Sequence, residues 1–128
     1  MKAWYLFGAY TTSIILISIG AYWGVIPTEI GLIPMYDSIG HFILYGLWFY
    51  LLHAAFQGRM TSIIIFPLPL AFLVLFPIIA LEEFAQKFAS TRTFSFSDLA
   101  WGFAGMCFFW LIIQGRKRER LSNRKVQK

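Results

Sequence analysis

Asp37, His41 and Tyr45 follow one another at intervals of four residues. On a helix this spacing lines all three along one face, about 6 Å apart in depth. An imidazole beside a carboxylate can take up and release a proton near neutral pH, and Asp37 can orient it for that role. Glu82 and Gln86 repeat the four-residue interval, with Glu83 next to them, and Asp98 follows after Arg92. His41 as proton donor or acceptor and Glu82 as the main acid or cation ligand are therefore the candidate catalytic groups. Asp37, Tyr45, Glu83, Gln86, Arg92 and Asp98 are candidate ligand-binding residues. Arg92 can neutralise a phosphate or one carboxylate through its fork of N–H donors. The plainer alternative is a set of caps and ion pairs closing one end of a helix bundle, and Asp98 by itself reads first as a cap on free backbone N–H groups.

Some chemistry has little support. No G-x-S-x-G or similar nucleophile motif is present, so covalent catalysis is not expected, and whether the chain is an enzyme stays open. The one cysteine, Cys107, cannot build a disulfide framework within the chain or a multi-Cys metal site. A cation held by His41, Asp37 and Glu82 or Glu83 is an alternative, but a single His there with no Cys nearby leads us to assign no metal and no cofactor. His53 reads as an interfacial residue and Cys107 as a small packing residue.

The elements that must position these groups follow from composition. The 128 residues are 59% hydrophobic, 20% aromatic and only 13% charged. Soluble domains lie nearer 45–50% apolar and roughly 25% charged. A helix needs about 20 apolar residues to cross a bilayer, and four apolar stretches of about that length can be read here, at 3–26, 37–56, 63–86 and 98–114. They are apolar almost all round, as suits lipid. Pro27, Gly31 and Pro34 separate the first two, a polar link at 57–62 the next, and a Ser/Thr-rich stretch at 87–97 the last. Pro67, Pro69 and Pro77 predict a kinked or partly unwound third span. Lys2 before an apolar run resembles a signal peptide, but the run is too long and lacks a clear cleavage site, so a retained helix is expected. The fold class is thus all-α, an integral membrane bundle of four transmembrane helices.

Charge sets the expected orientation. Lys2, Arg59 and seven Lys or Arg residues from Arg116 to Lys128 fall on one side, and only Lys87 and Arg92 on the other. The positive-inside rule then places both termini in the cytoplasm. Glu29, Asp37, Glu82, Glu83 and Asp98 all belong to the opposite, outer half. Trp4, Tyr5, Trp48, Tyr50 and Trp110 would form an inner aromatic belt, and Tyr22, Trp23 and Trp101 an outer one. Residues 115–128 read as a basic cytoplasmic tail, an orientation signal and anchor at anionic lipid in preference to a nucleic-acid-binding element.

The stretch Asp37-Ser38-Ile39-Gly40-His41-Phe42-Ile43-Leu44-Tyr45 resembles the D-K-x-x-H-F-x-x-Y element of VanZ-like membrane proteins. Glu82-Glu83-Phe84-Ala85-Gln86 resembles their E-x-x-Q element, and Arg92 to Asp98 followed by Gly105 their R-x5-D-x6-G element. The resemblance covers about residues 37 to 105, and the first helix fits the family's plan, giving a VanZ-like four-helix domain over 1–114. Ser38 stands where the family usually has Lys, and Gly102 where it usually has Asn. The resemblance implies a small protein of the bacterial inner membrane linked to the cell envelope, the founding member being associated with resistance to the lipoglycopeptide teicoplanin. The first functional expectation is an outward-facing polar pocket that handles a lipid-linked cell-wall precursor, a phospholipid head group or a lipoglycopeptide. The second is a non-catalytic subunit or scaffold within a larger membrane complex, its partners being membrane lipids and other membrane subunits.

Overall fold

The computed structural model describes residues 2–25, 35–63, 66–89 and 94–126. Among these residues there are four helices: α1 (Lys2–Tyr22), α2 (Tyr36–Ala55), α3 (Leu70–Gln86) and α4 (Phe96–Val126). Between α2 and α3 lies a two-stranded antiparallel hairpin, β1 (Met60–Ile63) and β2 (Phe66–Pro69). Three of the helices, α1, α2 and α4, are long and apolar enough to cross a membrane. The expected breakers Pro27, Gly31 and Pro34 lie outside the described residues.

Local chemistry explains the boundaries. Gly24, at φ 67°, turns the chain after α1, and the Val25 N–H closes back on the Gly20 carbonyl at 2.9 Å. Gly58, at φ 73°, ends α2 in the same way, its N–H reaching the His53 carbonyl at 2.9 Å. Thr11, Thr12 and Ser13 sit inside α1, where each hydroxyl donates to the carbonyl four residues earlier, so none is left unsatisfied in an apolar span.

The third element departs from expectation. Residues 66–69 are not helix but the second strand of the hairpin, and α3 begins at Leu70. The register pairs Thr61 with Leu68 and Ser62 with Pro67, and the Leu70 N–H bonds to the Arg59 carbonyl at 3.1 Å. Residues two apart on a strand share one side of the ladder, so Pro67 and Pro69 both turn their donorless nitrogens to the outer edge. The prolines thus fit a strand and would have broken a helix. Pro77 lies within α3. The fourth element differs at its other end, because the basic stretch taken as a tail continues α4 as one helix to Val126.

α2 is the central helix. Its Phe49 and Leu52 pack with Ala71, Leu75 and Ile79 of α3, Met106 of α4 and Ile14 of α1 to form the core. α2 and α4 approach closely at glycines: a Cβ at Gly105 would land on the Phe42 carbonyl, and one at Gly46 would lie 2.9 Å from the Gly105 carbonyl oxygen. α1 is pinned more lightly, by Trp48 Nε1 donating to Thr11 Oγ1 at 2.8 Å and Tyr10 Oη donating to the Leu44 carbonyl at 3.2 Å. Trp48 is therefore buried in the core rather than part of an aromatic belt, whereas Trp4, Tyr5 and Trp23 are exposed. Large apolar side chains such as Leu16, Ile43, Phe108 and Leu111 also face outward, the reverse of a water-soluble surface.

Candidate functional site

The polar residues gather at one end of the bundle. α2 begins there with Asp37, α3 ends there with Glu82, Glu83 and Gln86, and α4 begins there with Asp98. Helical rise places Arg116 about 27 Å along α4 from Asp98, at the opposite end. Trp4, beside Lys2, packs on Phe56 just past the end of α2, so the start of α1 joins that basic end.

His41 is buried on α2. Its Nδ1 lies 2.8 Å from the Asp37 carbonyl oxygen and 3.4 Å from the Asp37 carboxylate. A carbonyl can only accept, so Nδ1 carries the proton and Nε2 holds the lone pair in the neutral ring. That Nε2 looks toward Glu83 Oε2 at 3.8 Å. The Tyr45 ring stands edge-on to the imidazole with centroids 5.3 Å apart, and its hydroxyl donates to Glu82 Oε2 at 3.0 Å. Gln86 Nε2 donates to both Glu82 oxygens at 3.1 Å and approaches Glu83 Oε2 at 3.4 Å.

Glu83 is the fully buried carboxylate of the group. Its Oε1 accepts the Ser95 backbone N–H at 2.8 Å. Ser95 immediately precedes α4, and its hydroxyl accepts the Asp98 N–H at 3.2 Å. Ser95, not Asp98, is therefore the cap of α4. In a capping box the third helical residue reaches back to the cap's own N–H. Here Glu83, from another helix, takes that place, which ties α3 to α4 and leaves the Asp98 side chain to face α2. Asp37, His41 and Asp98 each offer a ligand atom, and these atoms all lie within 4.8 Å of one another. They are the residues whose chemistry suits a hard or borderline cation.

Sequence spacing places Asp37, His41 and Tyr45 on one face and Glu82 with Gln86 on another, and the structure brings these two faces together along with Asp98. Arg92 lies outside the described residues. Ser95 was missed; the signal was the S-x-x-D spacing from Ser95 to Asp98. Gly102 also gains a local reason, since a Cβ there would meet the Tyr45 ring at 2.6 Å. His53, in the last turn of α2, is buried between Phe49 and Trp110, and its Nδ1 has no hydrogen-bond partner among the described residues.

A cleft of about 230 Å³ opens against this cluster, bounded by Asp37, His41, Tyr45, Glu82 and Gln86 on one side and by Ile14, Ser18 and Tyr22 of α1 on the other. A second cleft of about 410 Å³ continues between α1 and α3 past Ile15, Ile19, Trp48 and Ile78. The two share Ile14, Ser18, Tyr22, Tyr45 and Glu82. The pair therefore has a polar head and an almost wholly apolar body. Comparison with protein-family models, curated proteins and solved structures finds no match to this chain.

Proposed function

We propose that the chain is a VanZ-like protein of the bacterial inner membrane whose cluster of Asp37, His41, Glu82, Glu83, Gln86 and Asp98 handles a lipid-linked ligand of the cell envelope. The observation that supports this reading is the junction of the polar cleft with the apolar groove at Tyr45 and Glu82. A ligand with a polar head and a hydrocarbon chain matches both parts. A simple hydrocarbon would have no use for the carboxylates, and a free sugar none for the groove. Lipid-linked cell-wall precursors, phospholipids and lipoglycopeptides share that construction. In this reading Glu82 and Gln86 hydrogen-bond the head group, and His41 Nε2 accepts or returns a proton under the control of Asp37.

The chain crosses the membrane four times in this proposal, with both termini cytoplasmic and the cluster facing outward. The 17 residues of α3 rise about 25 Å. The hairpin at its start and the polar residues at its end occupy the interfaces that complete the crossing. The collection of basic residues at the far end of α4 supports the orientation. A tag placed after Lys128 is expected to react only once the inner side is opened, and labelling from outside would reverse it.

His41→Ala and Glu82→Gln are expected to leave protein level and folding nearly intact, with a modest loss of melting temperature for His41→Ala, while abolishing the teicoplanin tolerance of cells that carry the protein. Two silent variants would remove the pocket from consideration. Degradation of both, or loss of a co-purifying protein, would favour the second reading, a scaffold subunit. One observation favours that second reading: Ile14 is the one buried residue of α1, which leaves most of that helix's surface to lipid or to another subunit.

A further inference from the structure

The run from Arg116 to Lys125 holds six cations and one acid, and that excess equals the net charge of +5 of the whole chain. The rest of the molecule is balanced. Because the run is helical, its residues have fixed directions. Ile113, Arg116, Lys117, Arg120, Leu121 and Arg124 recur at intervals of three and four and so share one face of α4. Arg118, Glu119 and Lys125 point elsewhere.

That face borders an open cavity of about 330 Å³ at the basic end, with Tyr50 of α2 on its other side. Four cations line it, with Ile113, Leu121 and the Tyr50 ring as the apolar lining. Among the described residues no carboxylate lines it. Its depth is also specific. The stretch from Asp98 to Arg116 rises about 27 Å, against a hydrocarbon layer of about 30 Å. If α4 crosses the bilayer, Arg116 and the turn beyond it lie at the level of lipid phosphates, while Ile113 reaches the acyl carbons nearest the glycerol.

We propose that this cavity is a binding site for one anionic phospholipid, with Arg116, Lys117, Arg120 and Arg124 holding the phosphodiester and Tyr50, Ile113 and Leu121 covering the adjoining glycerol and acyl carbons. The proposal rests on the crossing of α4 alone and needs no ligand in the cluster at the other end. A free phosphate would satisfy the cations but leave the apolar lining uncovered. A nucleic acid would lie against the outermost turns and gain nothing from Tyr50 or Ile113.

The test uses the full chain in phosphatidylcholine nanodiscs containing a minor fraction of phosphatidylglycerol, with retained lipid counted by native mass spectrometry. Two double variants remove equal charge: Arg116→Gln with Arg120→Gln inside the cavity, and Arg118→Gln with Lys125→Gln outside it. The first is expected to weaken phosphatidylglycerol retention about tenfold or more, because it removes two charge-assisted hydrogen bonds to the phosphodiester that diffuse surface attraction does not supply. The second is expected to stay within about twofold of the parent. Equal losses in both pairs would mean diffuse surface attraction and would overturn the site. Excess inorganic phosphate is expected to leave the lipid bound; displacement by it, or by a short oligonucleotide, would overturn the assignment to lipid.

Discussion

The two ends of the bundle handle charge in opposite ways. At one end Glu83, Gln86, Asp98 and His41 are buried and held by named partners on three helices. At the other, the basic side chains of α4 are exposed, four of them along one helix face. A buried polar group is costly unless bonded, so the first end specifies how α2, α3 and α4 meet. An exposed cation needs no partner within the protein, so the second end places little constraint on the fold. Mutations at the two ends should therefore differ in kind.

Gly105→Val should produce the largest effect. Its side chain would strike the Phe42 backbone, which cannot rotate away as a side-chain tip can. Overpacking costs about 1–3 kcal/mol, more where backbone must move. α4 would separate from α2 and carry Asp98 away from His41. Thermal unfolding in detergent should drop by many degrees, and an unchanged melting temperature would show that close helix contact does not hold the polar end together.

Glu83→Ala comes next. It strands the Ser95 N–H and removes a bond from Gln86, at about 1–3 kcal/mol for the buried groups left unpaired. Glu83→Gln keeps an acceptor for Ser95 and should recover much of the loss. Equal melting temperatures for the two variants would mean that the bridge from α3 to α4 contributes nothing. Arg118→Gln, at the basic end, should be the mildest, within about 0.5 kcal/mol of the parent. A larger loss there would remove the contrast between the ends.

The helices themselves were largely legible in the sequence. α2 begins and ends within a residue of expectation, because its apolar run is bounded by a capping-end acid and a Gln-Gly turn. The error at 66–69 came from treating continuous apolarity as helix, although an apolar strand and an apolar helix share that signal. Pro67 and Pro69, two residues apart, were the better guide. At the far end of α4 the helix outlasts its apolar stretch. Loss of apolarity marks where lipid contact ends, whereas Arg, Lys and Glu are good helix formers and continue the helix beyond it.

At the candidate site, four-residue spacing was enough to align Asp37 with His41 and Tyr45, and Glu82 with Gln86. It could not say which of two adjacent glutamates is buried. That depends on how α3 is rotated against its neighbours, and it is Glu83 that meets Ser95.

From its sequence alone this chain had the composition of a lipid-embedded helical protein, its polar residues in sets at helical spacing and its basic residues concentrated near the C-terminal end, because hydropathy, periodicity and charge order are all local properties. Only the tertiary structure decided that the cap of α4 is bonded by a carboxylate of α3, that three glycines on α2 and α4 allow those helices close approach, and that a polar cleft runs into an apolar groove. Each of these depends on contacts between residues distant in the chain, set by shape and by the need of buried polar groups to find partners.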